Sequence, residues 1–269
     1  MTNRISQSVL HRTVIVSLSL CGVLSFLVGT VSAQIADAVA SQPALVHHSL
    51  KVILDPQNQS LWVEDTVTLP DSMLASPLNF SLNSNLRISN NPRRLQVLAT
   101  DTAADDPGIN NTGALAAAMT AYSISPSRRN SNQLVLIYSG TIFDTAEQTS
   151  AEYAQSFAES SGIISEQGVY LNKGSVWVAD FGSDLISFDV QVEFADSASS
   201  WTAVSQGDRL GGNGWQSDQP MEEVYLIAAN FTEYSQQADD VEVLAYLRTP
   251  DSDLATKYMD ATGRYLALY

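Results

Sequence analysis

Ile186-Ser187-Phe188-Asp189-Val190-Gln191-Val192-Glu193-Phe194 decides the fold class. Ile186, Phe188, Val190, Val192 and Phe194 point one way, and Ser187, Asp189, Gln191 and Glu193 point the other. A period of two over nine residues is a β-strand with one buried and one wet face. The same pattern opens the chain after His48. There Leu50, Val52 and Leu54 share a face, with Ser49 and Lys51 between them. Asp55-Pro56-Gln57-Asn58 supplies turn chemistry, because Pro presets φ and Asn tolerates the left-handed region. The next run places Leu61, Val63, Val67 and Leu69 on one face together with Asp65, against Trp62, Glu64, Thr66 and Thr68. Two such runs across a short turn predict a β-hairpin.

Shorter runs extend the pattern. Leu78–Leu82, Leu86–Ile88, Leu95–Ala99, Ala121–Ser125, Gln133–Tyr138, Trp201–Val204, Val224–Ala229 and Val241–Leu247 each read as strands. A loose insertion rich in Ala, Asp, Asn and Gly separates two of them, from Thr100 to Met119. Many short alternating strands without a long helical period predict a mainly β fold, an antiparallel β-sandwich or saddle-like domain. The last twenty residues differ. Leu254, Tyr258, Ala261, Tyr265 and Leu268 recur at steps of four, three, four and three. That spacing predicts a C-terminal amphipathic helix, with Asp251 or Ser252 as its cap after Pro250. The helix runs out on Tyr265, Leu268 and Tyr269 without a stop signal. Aromatic residues in that position are expected to pack on a domain that follows.

The 269 residues include 13 Lys+Arg, 29 Asp+Glu, 3 His and one Cys, with 45% hydrophobic residues. This is too apolar for a disordered chain and long enough for a real core. A net charge of −16 argues against nucleic-acid binding, which needs a basic face. Residues 1–33 read as a secretory signal peptide: Arg4 and Arg12 are basic, Thr13 to Val28 is apolar, and Val31-Ser32-Ala33 precedes the cut. An uncleaved N-terminal anchor is the competing reading. A lipoprotein signal fits poorly, because Leu20 precedes Cys21. Cleavage would leave 11 basic against 29 acidic residues, a charge of −18, and no cysteine. The expectation is an exported chain, periplasmic or extracellular, with no stable membrane insertion after processing. The expected organisation is a signal at 1–33, a flexible lead-in at 34–46, a β domain at 47–249 and the start of a helix at 250–269.

A catalytic centre is harder to find. A zinc hydrolase needs imidazole or carboxylate ligands at fixed spacing. The processed chain has only His47 and His48, which as strand neighbours face opposite sides. No H-E-x-x-H and no G-x-S-x-G is present. Both histidines read as polar residues at the start of a strand. Asp105-Asp106, Glu222-Glu223 and Asp239-Asp240 read as solvated loop acids. The Asp105–Asn111 loop offers calcium-type ligands without the order of a known calcium loop. Gly211-Gly212-Asn213-Gly214 reads as a long hairpin tip, since no Lys follows it. Arg93-Arg94 and Arg128-Arg129 read as surface pairs, and Asn58, Asn79, Asn111 and Asn230 open N-x-S/T sequons of little weight. No catalytic, cofactor-binding or metal-ligating residue is assigned.

Several segments together resemble a family. The pair His47–Val52 and Leu61–Val67 is similar to the opening hairpin of M1-family zinc aminopeptidases. Leu134-Val135-Leu136-Ile137-Tyr138-Ser139-Gly140-Thr141-Ile142 resembles that family's strand ending in Tyr-x-Gly. Gly168-Val169-Tyr170-Leu171 with Trp177 resembles a bacterial branch. The alternating strand, Trp201–Gly207 and Val224–Ala229 follow in matching order. The resemblance covers about residue 47 to the end and implies the family's non-catalytic N-terminal β domain, truncated before the catalytic domain. It implies zinc, a peptide substrate and the H-E-x-x-H…E site in that following domain, with none of these in this chain. The partner implied is the catalytic domain of the same polypeptide. Glu166 and Gln167 stand nearest in order to a Gln or Glu that the family places in its substrate pocket, but the local pattern departs there and the role is not carried over. The alternative is a stand-alone exported β-sandwich that binds a glycan or a protein, with Trp62, Trp177, Trp201 and Trp215 as candidate platforms. Burial of the Tyr258, Tyr265 and Leu268 face would favour that alternative.

Overall fold

The computed structural model describes residues 45–90, 92, 95–100, 117–125, 131–144, 147–148 and 158–268. The expected signal peptide, nearly all of the lead-in, Arg93-Arg94, Asp105–Asn111 and Arg128-Arg129 lie outside them. In chain order the strands are β1 (Val46–Asp55), β2 (Ser60–Thr68), β3 (Leu78–Asn83), β4 (Leu86–Ile88), β5 (Gln96–Thr100), β6 (Met119–Ile124), β7 (Gln133–Thr141), β8 (Glu147–Gln148), β9 (Ala158–Glu159), β10 (Ile163–Ser165), β11 (Gly168–Leu171), β12 (Ile186–Phe194), β13 (Thr202–Val204), β14 (Asp208–Gly211), β15 (Gly214–Gln216), β16 (Leu226–Ala229), β17 (Thr232–Ala238) and β18 (Val241–Leu247). One helix, α1 (Ser252–Leu266), follows. The fold is mainly β, as the alternation predicts.

The largest sheet runs β14-β15-β12-β1-β2-β7-β4. A four-stranded sheet (β10-β11-β16-β13) and a three-stranded sheet (β3-β6-β5) accompany it. The hairpin β1–β2 pairs Leu50 with Asp65 and Val52 with Val63. The strand that opened the reading, β12, lies parallel to β1, with His48 beside Phe188 and Leu50 beside Val190. Alternation fixes which face of a strand is buried but not its direction, so this contact was not foreseen. The other strand pairs are antiparallel.

Inward residues of all three sheets merge into one core. Val52, Val63, Leu136 and Phe188 come from the large sheet, Leu82 and Ile124 from the three-stranded one, and Leu171 and Leu226 from the four-stranded one. Each such side chain contributes about 1.5–3 kcal/mol when fully buried. Gly140 shows how tightly the layers meet. It lies opposite both Leu61 and Leu86, and a Cβ there would run into the Asn85 carbonyl oxygen. Gly at this place in the Tyr-x-Gly run therefore has a steric cause.

The terminal helix packs elsewhere. Asp251 caps it, its side chain accepting from the Leu254 N–H at 2.9 Å. Ala255 and Met259 bury against Val243 and the partly buried Tyr234, Ala245 and Leu247 of the β17–β18 hairpin. The buried stripe thus runs Ala255-Met259, one residue round from the predicted Tyr258 face. Tyr258, Tyr265 and Leu268 stay 55%, 68% and 77% exposed. Strand β17 was not predicted, because Thr-Glu-Tyr-Ser-Gln-Gln-Ala lacks an apolar face to betray it. No helix among the described residues is long and apolar enough to cross a membrane.

Candidate functional site

The two adjacent histidines fall on opposite faces of β1, and each has a carboxylate partner. His47 faces outward. Its Nδ1 lies 2.9 Å from Ser187 Oγ and its Nε2 3.0 Å from Asp189 Oδ1. Asp189 Oδ2 also accepts from Ser49 Oγ at 2.7 Å. These residues form cross-strand pairs on the wet face of β1 and β12, where the His47 and Asp189 side chains are 38% and 40% exposed. Ser, His and Asp meet here, with Asp189 shared with a second hydroxyl, and none of the three lines the cavity beside His48. It ties two strands together on an open sheet surface.

His48 faces inward and is buried. Its Nδ1 lies 2.8 Å from Asp65 Oδ2, with the side chains 1% and 0% exposed. Among the described residues Asp65 Oδ1 has no hydrogen-bond partner, and neither does the buried hydroxyl of Tyr138. Tyr138 stands on β7, one inward position from the residue paired with Asp65. Burial, and then the Asp65 charge, hold its phenol well above the usual tyrosine pKa.

His48 is also part of the wall of a cavity of about 60 Å3. The cavity lies where β1 and β12 begin, beneath the segment from Asn172 to Ser183 and beside Glu222–Val224. Trp177, 1% exposed, is pinned there by its indole N–H, which donates to the Val224 carbonyl at 3.0 Å. Phe181 packs on both His48 and Phe80, with ring centroids 6.1 and 5.2 Å apart. Val176 adopts φ +46°, unusual for a β-branched residue, at the end of a short turn closed by reciprocal Asn172–Ser175 hydrogen bonds. Asp180, Glu222 and Glu223 contribute carboxylates to the lining and Lys173 an ammonium. Ser183 brings a hydroxyl, with no hydrogen bond to His48 among the described residues. No group of three His, Cys, Asp or Glu residues among the described ones is placed to hold a metal ion.

His47 and His48 do point apart, and His48 is buried in the core. Glu222 and Glu223, read as loop acids, line the cavity. Asp239 starts the tight turn between β17 and β18, at φ +51°. Glu166 and Gln167 are the exposed central pair of the β10–β11 hairpin and lie outside the cavity. Trp177 and Trp215 are buried and donate to backbone carbonyls, so neither is a stacking platform. Trp62 and Trp201 are half-buried. The buried pair was within reach of the sequence: strand parity puts His48 with Leu50, and Asp65 stands in an otherwise apolar row.

No protein-family model and no curated protein matches the sequence. Solved structures do show a likeness. An aminopeptidase N family protein from Idiomarina loihiensis is 10% identical with a TM-score of 0.47, over 82% of this chain and 36% of that one. An M1 zinc metallopeptidase from Deinococcus radiodurans is 16% identical with a TM-score of 0.40, over 79% and 51%. Native yeast LTA4 hydrolase is 12% identical with a TM-score of 0.45, over 75% and 31%. The chain therefore spans about a third to a half of the length of these proteins.

Proposed function

We propose that this chain is an exported, non-catalytic β domain of an M1-like zinc metallopeptidase, packing on a catalytic domain of the same polypeptide and walling one side of its peptide cleft. The observation that carries the reading is the outward face of α1. Tyr258, Tyr265 and Leu268 are more than half exposed, although the helix is capped and docked by its other side. An apolar aromatic surface of this kind is costly to leave wet and marks a contact. The sequence resemblance supplies the partner. Its ordered segments fall on β1, β2, β7, β11, β12, β13 and β16, which are adjacent within two sheets. Zinc and the attacking water would belong to the following domain, where a Glu would act as general base.

The reading frame after the Tyr269 codon tests this directly. An open frame carrying H-E-x-x-H and a later Glu is the expected result. A stop codon there would turn the search toward a free-standing binding module. The purified chain should contain no stoichiometric zinc and release no amino acid from peptides; either activity would sink the assignment.

A further inference from the structure

We propose that the side-chain amide of Asn90 is a clasp that closes an edge of the large sheet against pairing with a second copy of this chain. This does not depend on the reading above, which rests on the outward face of α1.

The edge arises from a mismatch in strand length. β7 runs for nine residues, Gln133–Thr141, whereas its outer neighbour β4 has three, Leu86–Ile88. Their register covers only Tyr138, Ser139 and Gly140. Among the described residues no other strand pairs with β7 on that side. The stretch from Gln133 to Ile137 would then present a row of unpaired N–H and C=O groups. Pro92 explains why β4 does not simply continue. It has no N–H for the ladder, and the chain turns there.

Side chains take over where the strand stops. The Ile137 N–H donates to Asn90 Oδ1 at 3.0 Å, and Asn90 Nδ2 donates to the Val135 carbonyl at 2.8 Å. One planar carboxamide, with an acceptor and a donor side by side, stands in for the peptide group that a longer β4 would bring. The Ile137 carbonyl accepts from the N–H and the hydroxyl of Ser89, at 2.8 and 3.1 Å. At the start of β7, Ser131 Oγ accepts from the Gln133 N–H at 3.3 Å and donates to the Gln133 carbonyl at 3.4 Å.

The segment beneath the clasp shows what it guards against. Gln133-Leu134-Val135-Leu136-Ile137-Tyr138 has no charge, no Pro and no Gly. A run of about six such residues with a free edge pairs readily with the same run from another molecule. Val135 is 41% exposed and Ile137 half-buried on the outward face. An incoming copy would therefore meet apolar side chains as well as backbone groups.

The test is Asn90→Ala in the 15N-labelled chain, read by amide exchange and sedimentation velocity over a concentration series. In dilute solution the Ile137 N–H should exchange about tenfold faster than in wild type, through loss of its hydrogen bond. As concentration rises, that protection should return and larger species should appear, with no such concentration dependence at Ile137 in wild type. Adding Val135→Lys, which puts a charge on the edge, should abolish the added association. Asn90→Asp keeps the shape and the acceptor but loses the donor, and should associate in the same way to a lesser degree. An unchanged far-UV spectrum confirms that each variant folds; if Asn90→Ala does not, Asn90→Asp carries the comparison. Unchanged exchange at Ile137 in Asn90→Ala would overturn the clasp. Association no greater than wild type in either variant, or association that Val135→Lys leaves in place, would overturn its role at the edge.

Discussion

His48 Nδ1 lies 2.8 Å from Asp65 Oδ2, and together they place an ionisable pair in the middle of a β-sheet core with almost no solvent exposure. Leu50 stands directly opposite Asp65 and Val67 opposite His48, so the His48–Asp65 bond runs diagonally across the β1–β2 hairpin. Such a pair adds little stability over apolar residues of the same volume, but breaking it leaves an uncompensated charge.

His48→Phe should therefore destabilise the fold by about 3–5 kcal/mol, since Asp65 would be stranded. The double variant His48→Phe/Asp65→Leu should recover most of that loss. Urea unfolding of the wild type, the single and the double variant measures both quantities. A single variant within about 1 kcal/mol of wild type would show that Asp65 is already neutral or hydrated.

Tyr138 predicts the response to alkali. Its pKa is raised in the folded state by burial and by Asp65. The protonated phenol is thus favoured by folding. Its contribution is complete below the unfolded tyrosine pKa of about 10 and is lost as pH rises from there toward the folded value. Tyr122, Tyr225 and Tyr246 shift in the same direction, each chiefly through burial. Stability should fall above about pH 10, and Tyr138→Phe should soften the fall. At pH 7 that variant should match or slightly exceed the wild type, because the hydroxyl it removes has no partner among the described residues.

Two glycines predict opposite outcomes. Gly140→Ala drives a methyl group into the Asn85 backbone and should cost about 1–3 kcal/mol. Gly263→Ala places its methyl 3.4 Å from Ala238 Cβ, an ordinary contact, within α1. It should stabilise by about 0.5–1 kcal/mol through helix propensity. Thermal unfolding of the pair would decide; a shift in the same direction for both would contradict the packing described.

On the outward face of α1, Tyr265→Ser with Leu268→Ser should leave the unfolding free energy within about 0.5 kcal/mol of wild type. Solubility should rise, because the two side chains are 68% and 77% exposed. A large loss of stability would mean that this face is already covered within the chain.

The legible part of this fold is the part written in parity. Leu50, Val52 and Leu54, then Leu61, Val63 and Val67, place two strands and their inner faces without further information. Ile186–Phe194 does the same for β12. Direction and partner are a different matter. Nothing in that strand says that it lies parallel to β1, since the choice is made by the path of the intervening chain. Strand β17 was missed because the half-buried face it turns, Thr232, Tyr234, Gln236 and Ala238, is mostly small or polar. The helix stripe was misread by one residue because Tyr258 and Tyr265 are as apolar as Met259. Only packing shows which of them the hairpin takes. The candidate site was half legible. Asp65 stood out in an apolar row, whereas Glu222 and Glu223 acquire meaning only when the chain folds back beside Trp177.

The parallel pairing of β1 with β12 also sets an order of assembly. Residues 46–55 wait for residues 186–194 before the centre of the large sheet closes. Until then β1 presents an open row of N–H and C=O groups on the side away from β2, a surface prone to pair with another chain. Loop closure over such a separation is slow. Amide-exchange pulse labelling during refolding should find the β1–β2 bonds protected before those of β1–β12. A chain cut before Ile186 should aggregate through that edge.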